Sequence, residues 1–233
     1  MTGGFDDRPP YLEDPELKLH DAPYAPNPLT VRLFIAERGG VALDVEAVDL
    51  IGLENRSLAF RAINPAGTVP ALALDDGRVL SDIVAICEYL DEVASGESLI
   101  GTTPEARALT RMWTRRGDLE VAQPFVSWWR GSDEAVDYYR GHRLPQTHGR
   151  EENKQLAMRG LNVLDDHLEG RSFIAADHAT LADILLFGFM STMAPVVPWL
   201  LPPGRRNVAA WFERMKARPA VSRAQEQTAR IEA

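Results

Sequence analysis

The chain has 233 residues, of which 45% are hydrophobic and 25% charged, proportions that are ordinary for a globular protein. Its net charge of -9 argues against a nucleic-acid partner, since phosphate binding needs a basic surface. No apolar run approaches the roughly 20 residues that span a bilayer, so no membrane partner is predicted. A single cysteine forms no internal disulfide and the acidic N-terminus lacks an apolar signal core, which together favour a cytoplasmic location.

The first part of the chain alternates strand and helix patterns. A strand from Leu17 to His20 precedes a proline-rich loop. Asn27 is expected to cap a helix whose first residue is Pro28, and a glycine pair at Gly39 ends that helix. Leu43–Val48 is the next predicted strand. A strand, helix and strand in this order predict a right-handed crossover with a parallel sheet.

The stretch from Asn64 to Leu90 organises the rest of this part. Ala71–Leu74 is a short predicted strand, a turn and a second strand follow, and an amphipathic helix begins after Asp82. The dipeptide Val69-Pro70 is the unusual feature, because cis peptide bonds are nearly confined to X-Pro. A cis bond would direct the backbone groups of Val69 toward a peptide-like ligand. The alternative is an ordinary proline that opens a strand.

Beyond this stretch only helical patterns occur. Pro104–Arg130 is predicted as one long helix kinked at Pro124, and Glu151–Leu168 as another. Thr180–Asp183 has the pattern of a capping box before a buried helix, and Trp211–Ala217 is the predicted closing helix. No Cys/His spacing suits a metal. These patterns divide the chain into an N-terminal extension (1–16), a first domain (17–93), a linker (94–103) and an all-helical domain (104–233).

Three regions together resemble the soluble glutathione transferases. They are the opening LKLHDAPYAPNPLTVRLFIAERGG, the run N-P-x-G-x-V-P-A-L with its D-G hairpin and L-S-D-x-x-A-I-C-x-Y-L, and the helical second part. The Ala-Pro-Asn-Pro loop looks like the S-P-N-P loop of a theta/nu-like bacterial or fungal branch. The resemblance implies an α/β thioredoxin-like domain (βαβαββα) followed by an all-α helical bundle. It also implies a homodimer without a metal.

The resemblance implies that glutathione is the co-substrate, and that its thiolate is stabilised and transferred to a small hydrophobic electrophile. The family places an activating hydroxyl before the first helix, where this chain has Ala25. Asn27 and Tyr24 are then candidates to stabilise the thiolate, and Ser132 is a candidate to hold an activating water. For Asn27 the alternative is a helix cap, and for Tyr24 a loop residue that covers apolar surface.

The implied glutathione site lies at the start of two helices. Asp82 would pair with the ligand's ammonium group, while Ile83 replaces a hydroxyl that would bind the α-carboxylate. Arg56 would pair with the glycyl carboxylate, and Asp118 would approach the amine; a solvated arginine and an intrahelical ion pair are the alternatives. The glutathione-binding residues implied by the resemblance are Arg56, Thr68, Val69, Pro70, Ser81, Asp82, Ile83 and Asp118.

An aromatic cluster near residue 128 falls where the resembling enzymes form the wall of the electrophile site. Aromatic side chains at helical spacing are also common in a core. The residues implied for the electrophile pocket are Met112, Arg116, Phe125, Trp128 and Trp129.

Two other functions are compatible with the sequence. One is a transferase-fold protein with weak or lost glutathione turnover that acts as a binding or structural module, as Ala25 and Ile83 would suggest. The other is a glutathione-dependent reductase or dehalogenase. No cysteine stands at position 25, which counts against thiol exchange, and Cys87 lies on the apolar face of a helix, where we expect it to be buried.

Overall fold

The computed structural model describes residues 17–144, 146–201 and 204–232, so the predicted extension at 1–16 lies outside the described residues. The first part of the chain has the predicted βαβαββα order. A short 3-10 helix, Glu54–Arg56, precedes its second α-helix. The elements are β1 (Lys18–Asp21), α1 (Pro26–Arg38), β2 (Asp44–Ala47), α2 (Leu58–Ile63), β3 (Ala71–Ala73), β4 (Val79–Leu80) and α3 (Ile83–Val93).

The four strands form one mixed sheet in the order β2-β1-β3-β4. Strand β1 pairs in parallel with β2 across the α1 crossover and antiparallel with β3, which pairs antiparallel with β4. Gly77 turns the β3–β4 hairpin at φ +82°, a left-handed conformation that favours glycine. The Val69–Pro70 bond just before β3 is cis. The predicted crossover and hairpin are confirmed.

Helix α1 begins earlier than the sequence analysis predicted. Its N-cap is Ala25, which is extended (φ −104°, ψ 145°) and makes no side-chain capping bond. Pro26 takes the first helical position, where a fixed φ fits and a missing N–H leaves no bond unmade. The prediction that Asn27 is the N-cap is therefore wrong. Asn27 instead lies inside the first turn, between Pro26 and Pro28.

The second part is helical throughout its regular structure, but the predicted single helix over Pro104–Arg130 is interrupted. A π-helical segment, Gly117–Ala122, comes just before Pro124, which has no N–H to donate to the carbonyl of Glu120. A Cβ at Gly160 would lie 2.3 Å from that carbonyl oxygen, so close packing requires the glycine. The helices are α4 (Pro104–Arg116), α5 (Gln123–Arg130), α6 (Asp133–Tyr139), α7 (Arg150–His167), α8 (Leu181–Met193), α9 (Arg206–Lys216) and α10 (Pro219–Glu232).

Helix α8 is the buried centre of the helical part, as predicted. The capping box at Thr180 and Asp183 is present. The fully buried Asp183 carboxylate also accepts hydrogen bonds from the Ile174 N–H and from Trp211 Nε1, each at 2.9 Å. Burial raises the pKa of Asp183. These bonds tie α9 to the start of α8.

The two parts of the chain share one hydrophobic core, in which Leu19 and Phe34 from the first part belong to the same cluster as Phe187 and Met190 from the second. Helix α10, which the sequence analysis did not predict, packs against α1 and β2. Residues 94–103 contain no helix or strand; the division into domains there stays a prediction. In the ranges that the structure describes, no helix is long and apolar enough to cross a membrane.

Candidate functional site

Two adjoining cavities open at the start of α1, between the first part of the chain and the helical part. The smaller has a volume of about 180 Å³ and is lined from one side by α1 and the 3-10 helix, and from the other by α5, α6 and the loop after α6. The larger has a volume of about 840 Å³. Both cavities are lined by Ala25, Pro26, Leu50, Tyr138 and Tyr139.

A buried ion pair holds the loop that leads into α1. Arg32 donates to both carboxylate oxygens of Asp21 at 2.7 Å, and their side chains are 2% and 0% exposed. The same guanidinium donates to the carbonyl oxygens of Ala22 at 3.3 Å and Pro23 at 3.0 Å. Burial raises the pKa of Asp21, and the charge of Arg32 opposes that rise. Helix α1 therefore fixes the backbone of the loop that precedes it.

Asn27 supplies the polar groups of the first turn of α1 that line the smaller cavity. Its neighbours Pro26 and Pro28 have no N–H, and the Leu29 N–H is already bonded to the Ala25 carbonyl. No other residue in the described ranges hydrogen-bonds to the Asn27 side chain. A helix N-terminus favours an anion through its free donors and its dipole, and here Asn27 provides those donors.

On the sheet side, two buried asparagines shape the wall of the smaller cavity. Asn55 Nδ2 donates to the carbonyl of Gly67 at 2.7 Å, and Asn64 Nδ2 donates to that of Thr68 at 2.8 Å. These bonds satisfy loop carbonyls that have no strand partner. We call this the first-domain wall; its cavity-lining residues are Asn55, Arg56, Gly67, Thr68 and Val69.

Tyr139, the last residue of α6, is the centre of the opposite wall. The guanidinium carbon of Arg143 lies 5.0 Å from its ring centroid, and the Arg130 guanidinium lies close to its side chain. The His142 ring packs edge-on at 5.7 Å. Burial, together with the nearby charge of Arg143, lowers the pKa of Arg130. We call this the second-domain wall; it consists of Arg130, Tyr138, Tyr139, His142 and Arg143.

The smaller cavity is cationic although the protein as a whole is acidic. Its lining includes Arg56, Arg130 and Arg143, and it contains no aspartate or glutamate among the described residues. None of these arginines forms an ion pair with a carboxylate elsewhere in the described part of the chain. A lining of this kind favours an anionic ligand.

The larger cavity is mainly apolar, with walls from the loop before α1, from α5, α6 and α8, and from Ile231 of α10. The Tyr138 hydroxyl donates to the Leu50 carbonyl at 3.2 Å, which joins the helical part to the loop after β2 beside the cavity. Burial raises the pKa of Tyr138. Asp49 and Glu54 also line this cavity, and their carboxylates accept hydrogen bonds from loop N–H groups.

Known proteins share this fold. The model of the glutathione S-transferase N-terminal domain matches residues 24–93, and that of the C-terminal domain matches residues 141–219. The crystal structure of a glutathione S-transferase domain-containing protein from Marinobacter aquaeolei is similar with a TM-score of 0.79 and 32% identity, over 88% of this chain and 99% of that one. The chain belongs to the glutathione S-transferase family.

The relatives of this glutathione S-transferase family member include both a named transferase and an elongation factor. Glutathione S-transferase 2 of Saccharomyces cerevisiae is 29% identical over 210 residues, which are 88% of each chain. Elongation factor 1-gamma of Danio rerio is 34% identical over 166 residues, which are 69% of this chain and 34% of the factor. This chain thus spans about a third of the length of that second relative.

Some of the predicted site residues line the two cavities. Asn27, Arg56, Thr68 and Val69 line the smaller cavity, next to the cis bond at Pro70. Tyr24 and Trp129 line the larger one, and Tyr24 is 67% exposed.

Ser132 and two of the predicted aromatic residues lie outside both linings. The Ser132 hydroxyl caps α6 by accepting a hydrogen bond from the Ala135 N–H at 3.3 Å. Phe125 is fully buried in the core. Trp128 packs edge-on against Trp199, with ring centroids 5.3 Å apart. Phe125 is therefore a core residue, as the alternative for aromatic side chains at helical spacing predicted.

Met112 and Arg116 lie on α4, outside both cavities. Met112 is 44% exposed. Arg116 pairs with Glu120 at 3.1 Å and lies over the Trp113 ring at 4.7 Å. Their place in the electrophile pocket is implied by the resemblance alone and stays a prediction.

The other end of the predicted glutathione site is the start of α3. Asp82 caps this helix, with one carboxylate oxygen accepting from the N–H groups of Val84 and Ala85 at 3.0 Å each. Its neighbours Ser81 and Ile83 lie, like Asp82, outside the linings of both cavities. Cys87, further along α3, is fully buried as expected, and burial raises the pKa of its thiol well above the usual value.

Asp118 reaches the smaller cavity only through another residue. Its carboxylate accepts a hydrogen bond from Gln123 Nε2 at 2.8 Å, and Gln123 lines the cavity. Arg115 Nη1 lies 3.8 Å from Asp118 Oδ2, and this ion pair is the alternative given above for Asp118.

The sequence analysis did not assign the second-domain wall to the site, although the run Tyr-Tyr-Arg-Gly-His-Arg at 138–143 contained a signal. Two aromatic residues followed by two arginines and a histidine suit the recognition of an organic anion. In the described ranges, no group of three or more His, Cys, Asp or Glu side chains could hold a metal ion.

Proposed function

We propose that the protein is a glutathione transferase that binds glutathione in the smaller cavity, stabilises its thiolate at the start of α1, and transfers it to a small hydrophobic electrophile in the larger cavity. The observation that carries this proposal is the pairing of a cationic cavity with an apolar one across a shared edge at Ala25 and Pro26. Glutathione carries two carboxylates and a titratable thiol, so its charge complements the arginine lining.

Within this proposal, the first-domain wall binds the peptide part of glutathione. The main chain at Thr68 and Val69, preceding Pro70, pairs with the cysteinyl peptide groups, and Arg56 pairs with the glycyl carboxylate. The γ-glutamyl end extends toward the start of α3. There Asp82 binds the ammonium group, and the backbone donors at Ser81 and Ile83 bind the α-carboxylate. Asp118 acts on the same amine through Gln123.

Asn27 is the group that we assign to the thiolate. Its side-chain amide is in the cavity lining without a partner among the described residues, and it lies in the first turn of a helix whose dipole favours an anion. Hydrogen bonds to the charged form lower the pKa of a thiol. Tyr24 and a water held by Ser132 are the alternatives; the capping bond of Ser132 argues against the latter.

The chemistry needs no metal. The thiol proton passes to solvent, the sulfur electron pair forms a bond to the electrophilic carbon, and the leaving group departs with its own electron pair. Orientation of the two substrates and the lowered thiol pKa account for the rate enhancement.

A second candidate function is a binding or structural module without efficient turnover. The 34% identity to elongation factor 1-gamma favours it, because that relative is named for a different process. Reduction or dehalogenation by thiol exchange is disfavoured, because the only cysteine of the sequence is fully buried.

Two measurements separate the first two functions. For a transferase we expect ultraviolet difference absorbance of a bound thiolate at neutral pH, and conjugation of glutathione to chlorodinitrobenzene above the uncatalysed rate. Binding of glutathione without thiolate formation or turnover would support the binding module, and absence of binding would refute the transferase.

We also propose a cytoplasmic homodimer and a position near the theta/nu-like branch. Helix α4 exposes Leu109 (47%) and Met112 (44%), apolar side chains that a second copy would cover. The Ala-Pro-Asn-Pro loop supports the branch. Light scattering coupled to gel filtration measures the mass in solution, and a monomer would contradict the dimer.

A further inference from the structure

The second-domain wall contains two arginines whose charge no carboxylate of the described residues balances. Arg130 lies on α5 and Arg143 on the loop after α6, and both touch Tyr139. The Nε atom of Arg130 is buried and has no hydrogen-bond partner. Among the described residues, neither arginine forms an ion pair with a carboxylate.

Two guanidinium groups that lie near each other at a partly buried site repel one another and lose hydration. Burial and the charge of Arg143 both lower the pKa of Arg130. Proteins commonly offset such a cost with a carboxylate, and this wall has none among the described residues. A ligand that brings a negative charge would supply the missing partner.

The position of the pair favours the second substrate over glutathione as that ligand. Both arginines line the smaller cavity next to Tyr139, one of the residues that line both cavities, whereas Arg56 lies on the opposite wall beside the peptide-binding segment. The carboxylates in the lining of the larger cavity, Asp49 and Glu54, accept hydrogen bonds from loop N–H groups. A negative group on the electrophile would therefore point away from these carboxylates, toward the arginine pair.

We propose that the electrophile is an organic anion, with an apolar body in the larger cavity and a carboxylate bound by Arg130 and Arg143. This inference rests on the proposed function and adds the chemical class of the second substrate. In the reaction the thiolate sulfur forms a bond to an electrophilic carbon of the apolar body, and the leaving group departs with its electron pair. The carboxylate is unchanged, and it orients the substrate through paired charge-assisted hydrogen bonds.

The test compares a chlorodinitrobenzoate, whose carboxylate lies para to the chlorine, with its methyl ester, at saturating glutathione. We expect the wild-type protein to favour the carboxylate by about tenfold in kcat/KM, the value of one charge-assisted contact. Arg143→Gln should remove that preference through the KM of the carboxylate, and should raise that KM more than it changes the kcat/KM of the ester or the KM of glutathione. Arg140→Gln is the matched control, because Arg140 is exposed and pairs with Asp137 on α6.

A second variant and a binding assay distinguish loss of the anion site from a folding defect and from a lack of turnover. Arg130→Lys keeps one charge but loses the forked geometry, and we expect about half the effect of Arg143→Gln on a logarithmic scale. Calorimetry with dinitrobenzoate, which has no leaving group, measures the anion site without turnover. Weaker binding to Arg143→Gln than to Arg140→Gln supports the site even if no conjugation occurs, in which case the transferase proposal alone fails.

Three results would overturn the inference. One is an equal kcat/KM for the carboxylate and the ester in the wild-type protein. Another is dinitrobenzoate binding that Arg143→Gln does not weaken. The third is a rise in the KM of glutathione, with none for the carboxylate, in Arg143→Gln; that result would assign the pair to the glycyl carboxylate instead.

Discussion

The two walls of the smaller cavity are built in different ways. The first-domain wall is largely main chain held by the side-chain amides of Asn55 and Asn64, to which Arg56 adds one cationic side chain. The second-domain wall is a set of side chains arranged around Tyr139. A main-chain wall can bind the constant groups of a peptide, whereas a side-chain wall can change with the second substrate. The difference suggests that the common substrate binds one wall and the variable substrate the other.

The largest effect that we expect concerns the loop between β1 and α1. Arg32→Met removes the partner of a fully buried carboxylate and two bonds to loop carbonyls. It should lower the free energy of unfolding by about 3–5 kcal/mol, the usual result of leaving a buried charge unpaired. Urea denaturation, monitored by tryptophan fluorescence, measures the free energy of unfolding. Arg78→Met breaks an exposed pair with Asp76 and serves as the control, with little change expected.

Asn27→Ala should have the largest effect on chemistry. It removes the side-chain donor at the start of α1 without removing a bond within the described protein, so stability should hardly change. The apparent thiol pKa in the pH–rate profile should rise toward that of free glutathione, and kcat/KM at neutral pH should fall about tenfold or more. An unchanged pH–rate profile would mean that Tyr24 or a water, and not Asn27, stabilises the thiolate.

The first-domain wall and the fold could largely be predicted from the sequence, because their signals are local. The Asp-Asp-Gly turn, the glycine that ends α1 and the Thr180–Asp183 box each depend on neighbours within a few residues. The second-domain wall could not, because it depends on where α6 lies relative to α1 and α5. Pro124 predicted a kink in the long helix, but no local pattern predicted the π-helical segment 117–122 that precedes it.

Substitution of Asp82 tests whether the glutathione site extends from the first-domain wall to the start of α3. Asp82→Asn keeps a good N-cap for α3 but removes the charge, so stability should be nearly unchanged. If Asp82 pairs with the ammonium group, the Kd for glutathione should rise about tenfold. The Kd is measured by calorimetry beside Asp76→Asn, which changes an exposed turn residue of the preceding β3–β4 hairpin. Equal dissociation constants would place the ammonium elsewhere.

The smallest effect concerns the contact that joins the two parts of the molecule. Tyr138→Phe removes the hydrogen bond to the Leu50 carbonyl but keeps the ring in the linings of both cavities. The free energy of unfolding should fall by about 1 kcal/mol. Hydrogen exchange at the amides around residue 50 should increase more than exchange in the sheet. Equal changes in both would mean that the bond does not hold this loop.

The most direct test of the account is a titration of the protein with glutathione in a calorimeter, for the wild type and for Arg56→Gln. We expect one tripeptide per chain, with a Kd that rises about tenfold when Arg56 loses its charge, since one charge-assisted contact is lost. No heat at millimolar glutathione, or the same Kd for both proteins, would contradict binding of this anion by the arginine-lined cavity.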